Sequence, residues 1–172
     1  MRMITDFLSE ESIALHKEYL RQKRLKYSIL ETCIPRLSGV SVSDIFRLKL
    51  DKRDRDDALE LLPEIVLHDL YFSSFSEEKY PASPLIRELY GSEASFLSEL
   101  YGLAKNRQFG FLAVYGASSA GVVTDYAEAL RYHTPTLAVD LCEHAYFTDY
   151  GFDGERYLVA ALSYLDLTKL TT

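Results

Sequence analysis

The sequence predicts an α+β protein. It shows two long helical segments first, and then shorter helices around a small three-stranded antiparallel sheet. Three observations predict this. Apolar residues recur at helical spacing from residue 9 to 31 and again from 58 to 75. Short β-prone runs lie between 109 and 140, broken by a glycine-rich turn. A polar stretch from 73 to 83 separates the two regions, and we place a boundary there, giving halves 1–78 and 79–172.

In the first helix Ser9 is a suitable N-cap, and Glu10 and Glu11 complement the positive helix start. Ile13, His16, Leu20 and Tyr27 share one face, with Lys17, Arg21 and Lys26 mostly elsewhere. Pro35 and Gly39 close this unit. Residues 43–50 predict a short helix, and 51–57 a charged turn or helix start. The second long helix is expected to kink or restart at Pro63, which cannot donate an interior hydrogen bond.

Beyond the linker, Pro84 can open a helix, Gly91 breaks it, and Ser92 can cap another running to about residue 105. Residues 109–115 read as a strand, 116–121 as a turn, 122–126 as a second strand and 136–140 as a third. Residues 154–167 read as a closing helix.

Composition narrows the function. The chain is 48% hydrophobic and 26% charged over 172 residues, the balance of a folded globular protein. A net charge of −7 argues against broad nucleic-acid binding, which needs a basic footprint. No apolar run approaches the ~20 residues of a membrane helix, and the N-terminus lacks a signal core, so a cytoplasmic location is expected. Two cysteines, Cys33 and Cys142, make neither a disulfide framework nor a cysteine-rich zinc site.

The chemistry lies in few residues. His144 follows Asp140 by four positions and can converge with it on one ion if the chain turns after the strand. His16 and His68 lie in the apolar stripes of the two long helices, which would bring them together if antiparallel. Three imidazoles and a carboxylate suit a first-row metal with open coordination. Each residue also has a plainer reading: a lone histidine on an apolar face is more often a hydrogen-bonded core residue, and Asp140 can cap a helix. His133, beside Pro135, reads as a surface residue.

The stretch T-P-T-L-A-V-D-L-C-E-H-A-Y at 134–146 resembles the signature of the iron/manganese superoxide dismutases, D-x-W-E-H-A-Y after a T-P-L-L strand. L-S-E-E-S-I-A-L-H at 8–16 resembles that family's first helix, and I-V-L-H-D-L-Y-F at 65–72 its second-helix ligand motif. F-G-F-L at 109–112 resembles its G-W-x-W-L strand. The resemblance runs in order from about residue 8 to 168. It implies an N-terminal helical hairpin, a C-terminal α/β half and one iron or manganese ion per chain between them. The implied ligands are His16, His68, Asp140 and His144, and the implied reaction is superoxide disproportionation to oxygen and hydrogen peroxide. It also implies a homodimer, with Glu143 reaching the partner's ligand histidine.

The surroundings of the ligands depart from the family pattern. Leu20 and Arg24 stand where the family has a histidine and a tyrosine four and eight residues after the first ligand. Tyr27, one turn on, is a partial substitute, and Arg24 is a candidate for drawing in the superoxide anion, with Lys17 and Arg21 contributing if their faces allow. Cys142 replaces tryptophan, Phe147 lacks the usual hydroxyl, and Glu64 stands where iron-type members carry glutamine. Glu64 and His68, at i and i+4, can share a face; Glu64 is either a group acting near the metal or a solvated acid after Pro63. The leading expectation is a dismutase with Glu64, Tyr27, Arg24 and Glu143 as its assisting residues. The alternatives are a dismutase-like metal protein with altered or lost activity, and a structural protein with an inert site.

Overall fold

The computed structural model describes residues 4–76 and 84–170. Helix α1 spans Glu10–Cys33, and Ser9 caps it, accepting from the Ser12 amide. Its buried residues are Ser12, Ile13, His16, Leu20 and Tyr27, the face expected from the spacing. After a 3-10 turn at Pro35–Leu37, helix α2 is a single turn, Val42–Ile45, closed by a capping box between Ser41 and Asp44. It is shorter than the helix expected over 43–50, because Ser41 and Asp44 fix its start and it closes after one turn.

Helix α3 runs unbroken from Lys52 to Ser73, with Asp51 as its cap. No restart occurs at Pro63, which lies buried inside the helix. Packing explains the tolerance: Leu61, Pro63, Glu64, Ile65, Leu67 and His68 are all buried, so tertiary contact outweighs the lost hydrogen bond.

The stretch after α3 begins as core rather than linker. Ser74 is fully buried, its hydroxyl donating to the Leu70 carbonyl and accepting from the Ala138 amide at 2.8 Å. Phe75 is also buried and bridges to Leu165. The remainder of the expected linker, and the division at residue 78, lie outside the described residues.

Helix α4 covers Pro84–Tyr90 and α5 Glu93–Ala104, the latter capped by Ser92. Strand β1 is Phe111–Tyr115 and β2 is Ser119–Val123. The second strand therefore starts earlier than expected, and Tyr126 opens helix α6, Tyr126–Tyr132, instead of ending a strand. The cause is local: Gly116, at φ 66°, serves the tight turn, and Asp125 caps the helix through the Glu128 amide. Strand β3 is Leu137–Asp140. The sheet order is β2-β1-β3, all antiparallel, with Phe111 opposite Val123 on one side and Asp140 on the other. Gly110, at φ 94°, lets the chain enter β1, since a Cβ there would lie 2.3 Å from the Val123 carbonyl oxygen.

Short helix α7, Phe147–Tyr150, leads to α8, Gly154–Ser163, which ends before the residue 167 expected. A separate 3-10 turn, Leu167–Lys169, follows. The main core gathers the sheet, α5, α8 and the neighbouring faces of α1 and α3. A smaller cluster of Leu20, Tyr27, Leu37, Ile45, Ala58, Leu61 and Ile65 fills the far end of the hairpin. No described helix is long and apolar enough to cross a membrane.

Candidate metal centre

Along α1, His16 stands between Ile13 of the main core and Leu20 of the distal cluster. It is completely buried, against Tyr71 and Phe72 with ring centroids about 5 Å away. His68 comes from α3, which packs beside α1, and its Nδ1 lies 2.7 Å from the Glu64 carbonyl oxygen. A carbonyl only accepts, so Nδ1 carries the proton and Nε2 presents a lone pair. Burial pushes the His68 pKa down, which keeps the ring in the neutral, ligating form.

Asp140 ends the edge strand β3 and is completely buried. Its Oδ1 accepts from the Cys142 amide at 2.8 Å, an Asx-type turn that reverses the chain. The 3-10 turn Glu143–Ala145 then brings His144 back over the carboxylate.

His16, His68 and His144 place Nε2 3.2, 3.4 and 2.9 Å from Asp140 Oδ2, and the Nε2 atoms of His68 and His144 are 3.2 Å apart. All four ligand atoms lie within 4.8 Å of one another. Bonds of ~2.0–2.2 Å meeting at about 90–110° would give the four separations of 2.9 to 3.4 Å. Both ring nitrogens of His16 and Asp140 Oδ2 are buried without a hydrogen-bond partner. Buried polar atoms are rarely left so, and a cation at their common focus satisfies the inward-facing ones. The donor set thus fits a first-row ion. Burial alone would push the Asp140 carboxyl up, but His144 and His16 together hold it well below the usual carboxylate range.

The surroundings contain a residue the sequence reading missed. Tyr19 lies on α1 three positions after His16, stacks on His144, and donates from its hydroxyl to Glu64 Oε1. Burial and the Glu64 carboxylate push its pKa up. The other Glu64 oxygen is 2.6 Å from Lys23 Nζ. Glu64 is therefore a buried, fully partnered group, not a solvated cap. The i+3 spacing of Tyr19 from His16 and the i+4 spacing of Lys23 from Tyr19 were the available signals.

Other expected residues lie elsewhere. The Tyr27 hydroxyl donates to the Leu37 carbonyl at 3.3 Å inside the distal cluster. Eleven positions beyond His16 is about 16 Å along the helix axis, which carries Tyr27 away from the centre. Arg24 is exposed and pairs with Asp69. Arg21 is held by Glu18, and Lys17 lies over the Phe72 ring. His133 is exposed, as expected.

Solvent reaches the centre through His144, whose side chain is 32% exposed. It stands at the wall of a cavity of about 720 Å³ shared with Tyr19, Glu64, Phe109, Tyr126, Cys142 and Glu143. The carboxylates on that wall are Glu60, Glu64, Asp125 and Glu143, and no lysine or arginine among the described residues joins them. The Cys142 thiol lies 3.9 Å from the Tyr126 hydroxyl, and burial, then the Asp140 charge, pushes its pKa up to about 12.

The hairpin and the sheet bring three histidines and one aspartate together in a buried group that could hold a metal ion. A family model for the C-terminal domain of iron/manganese superoxide dismutases matches residues 81–172, more than half of the chain. The chain belongs to the iron/manganese superoxide dismutase family. It is 26% identical over 143 residues to a protein of Cupriavidus metallidurans named as an iron superoxide dismutase; the match covers 77% of this chain and 71% of that protein.

Proposed function

We propose that this protein is a superoxide dismutase holding one iron or manganese ion through His16, His68, Asp140 and His144. The observation that carries this reading is the convergence of three imidazole Nε2 atoms on Asp140 Oδ2, with both His16 nitrogens and Asp140 Oδ2 buried and lacking a hydrogen bond. When bound, the ion supplies a one-electron couple able to oxidise one superoxide and reduce the next.

The chain supplies the rest. The Glu64 carbonyl fixes the tautomer of His68, and the Cys142 amide fixes the free oxygen of Asp140. Tyr71, Phe72 and Phe111 pack around the imidazoles of His16 and His68 and exclude water on that side. Peroxide formation consumes two protons. Tyr19 Oη and Glu64 Oε1 share a proton at the cavity wall, beside the exposed edge of His144. Glu143 is exposed on the same wall, and in this reading it reaches His144 of a second copy across a homodimer interface. Tyr27 and Arg24 take no part in the reading, because their partners lie elsewhere.

One observation favours a second reading, a dismutase-like metalloprotein with altered activity. The substrate is an anion, and the carboxylates of the cavity wall oppose its approach. The deciding experiment measures metal content and superoxide decay on purified protein loaded with iron or with manganese. Activity above that of the free ion, at about one ion per chain, is expected. Full occupancy with no activity would replace the dismutase by the second reading.

A further inference from the structure

We propose that Lys23 is a positioning residue that sets the charge beside the metal centre through Glu64. The inference rests on the metal-centre reading above and concerns what lies just outside the four ligands.

Glu64 reaches the centre by two routes. Its backbone carbonyl holds His68 Nδ1 at 2.7 Å, and its carboxylate holds the hydroxyl of Tyr19, whose ring stacks on His144 at 4.4 Å. A carboxylate in that place, with no counter-charge, favours the higher oxidation state of a nearby ion and lowers its reduction potential. Lys23 supplies the counter-charge, with Nζ 2.6 Å from Oε2.

The pair differs from the surface pairs on the same helices. Lys23 and Glu64 side chains are 18% and 11% exposed, whereas Arg21 and Glu18 are 61% and 50% exposed. Solvent screens the surface pairs and leaves them little influence. Lys23 also lies 5.3 Å from the centroid of the Tyr19 ring, one helical turn back, so its alkyl chain and charge are held by the same tyrosine that faces the centre. Lys23, Glu64 and Tyr19 form one connected unit, joined to the ligands through the Tyr19 ring on His144.

Two consequences follow. Replacing Glu64 by glutamine does more than remove a negative charge; it leaves Lys23 as an uncompensated cation. Removing Lys23 leaves Glu64 as an uncompensated anion. The single variants must therefore move the metal in opposite directions, and the double variant must return toward the wild type.

The test uses the full chain loaded with iron, with metal content measured first and the midpoint potential then taken by mediated spectroelectrochemical titration. Lys23→Met should lower the potential, shifting the oxidised-to-reduced ratio at a fixed poise by roughly tenfold. Glu64→Gln should raise it, Lys23→Arg should leave it near the wild type, and the Lys23→Met/Glu64→Gln pair should fall between the singles. If Lys23→Met does not fold, Lys23→Gln is read in the same way. Single variants that bind iron with wild-type potentials overturn the inference and leave the dismutase reading standing, even if they melt earlier. A wild type that takes up neither iron nor manganese overturns both.

Discussion

Tyr19 lies against His144 with ring centroids 4.4 Å apart and an angle of 26° between planes, while its hydroxyl is tied to Glu64. The stack and the hydrogen bond are separable. Tyr19→Phe keeps the ring on His144 and removes the only proton-bearing atom of this contact. It should bind metal at wild-type occupancy and lose about tenfold or more in activity, the usual scale for losing a hydrogen bond next to a metal ligand. Metal analysis and superoxide decay on the same preparation check this. Wild-type turnover in that variant would remove Tyr19 from the mechanism.

Under the proposed metal reading, the buried atoms of His16 and Asp140 that lack a hydrogen bond make the centre a weak point when the ion is removed. An ion held at about 100 times its dissociation constant stabilises the fold by ~2.7 kcal/mol. For a chain of this length that corresponds to a Tm lower by roughly 5–10 °C after chelation. Calorimetry before and after metal removal gives the value. His144→Ala should bind little metal and show no such difference, since a methyl group cannot ligate. Unchanged metal content in that variant would contradict the assigned centre.

The four residues of this cluster stand out in the sequence through the family resemblance, since spacing alone reads each histidine as a core residue, but their placement follows from strong periodicity. His16 and His68 occupy the buried stripes of long helices with clear caps at Ser9 and Asp51. Asp140 closes an apolar strand of four buried residues. The misses share a cause, which is that spacing along the chain does not say which atoms meet across elements. Tyr19 shares the inward side of α1 with His16, but only the position of α3 shows that it meets Glu64. Tyr27 matches the stripe equally well and lies too far along the axis. The run from Gly116 to Gly121 has turn composition throughout, yet the turn closes by Ser118 and Ser119 already pairs with Tyr115, so the second strand begins earlier than composition predicts.

Tyr157 connects the closing helix to the metal centre. Its buried hydroxyl donates to the Asp140 carbonyl at 2.8 Å and lies 3.1 Å from the Tyr71 hydroxyl. Tyr157→Phe would leave that buried carbonyl short of a partner, at a cost of about 1–3 kcal/mol. We expect a lower denaturant midpoint with an unchanged slope and a reduced metal affinity. A midpoint equal to that of the wild type would show that the bond contributes nothing.

Glu143 is exposed on the same wall as His144, and nearby Phe147 and Phe152 are 46% and 84% exposed, packed edge to face on each other. A second copy bringing its own Glu143 to His144 would cover this region. Light scattering at micromolar concentration should then give twice the 19.7 kDa of one chain. Glu143→Ala should shift the population toward monomer and weaken metal binding by about 10–100-fold, because the bond it removes orients a ligand. A wild type that scatters as a monomer would rule out the shared centre.

The acidic cavity wall sets how the rate should respond to salt. An anion drawn in by basic residues reacts more slowly as ionic strength rises, because screening weakens the attraction. Here Arg21 is held by Glu18 and Arg24 by Asp69, while Glu60, Glu64, Asp125 and Glu143 face the cavity. Lys23 offsets Glu64, which leaves Glu60, Asp125 and Glu143 as the opposing charges. The catalytic rate at low superoxide should therefore rise with salt between about 10 and 200 mM, where the Debye length falls from ~30 Å to below ~10 Å. Asp125→Asn is the sharpest probe, because asparagine can still cap α6 at the Glu128 amide while the charge is lost. It should speed the reaction at 10 mM salt and leave it nearly unchanged at 200 mM. A rate that falls with salt, in the wild type and the variant alike, would mean that cations outside this cavity govern how the anion arrives.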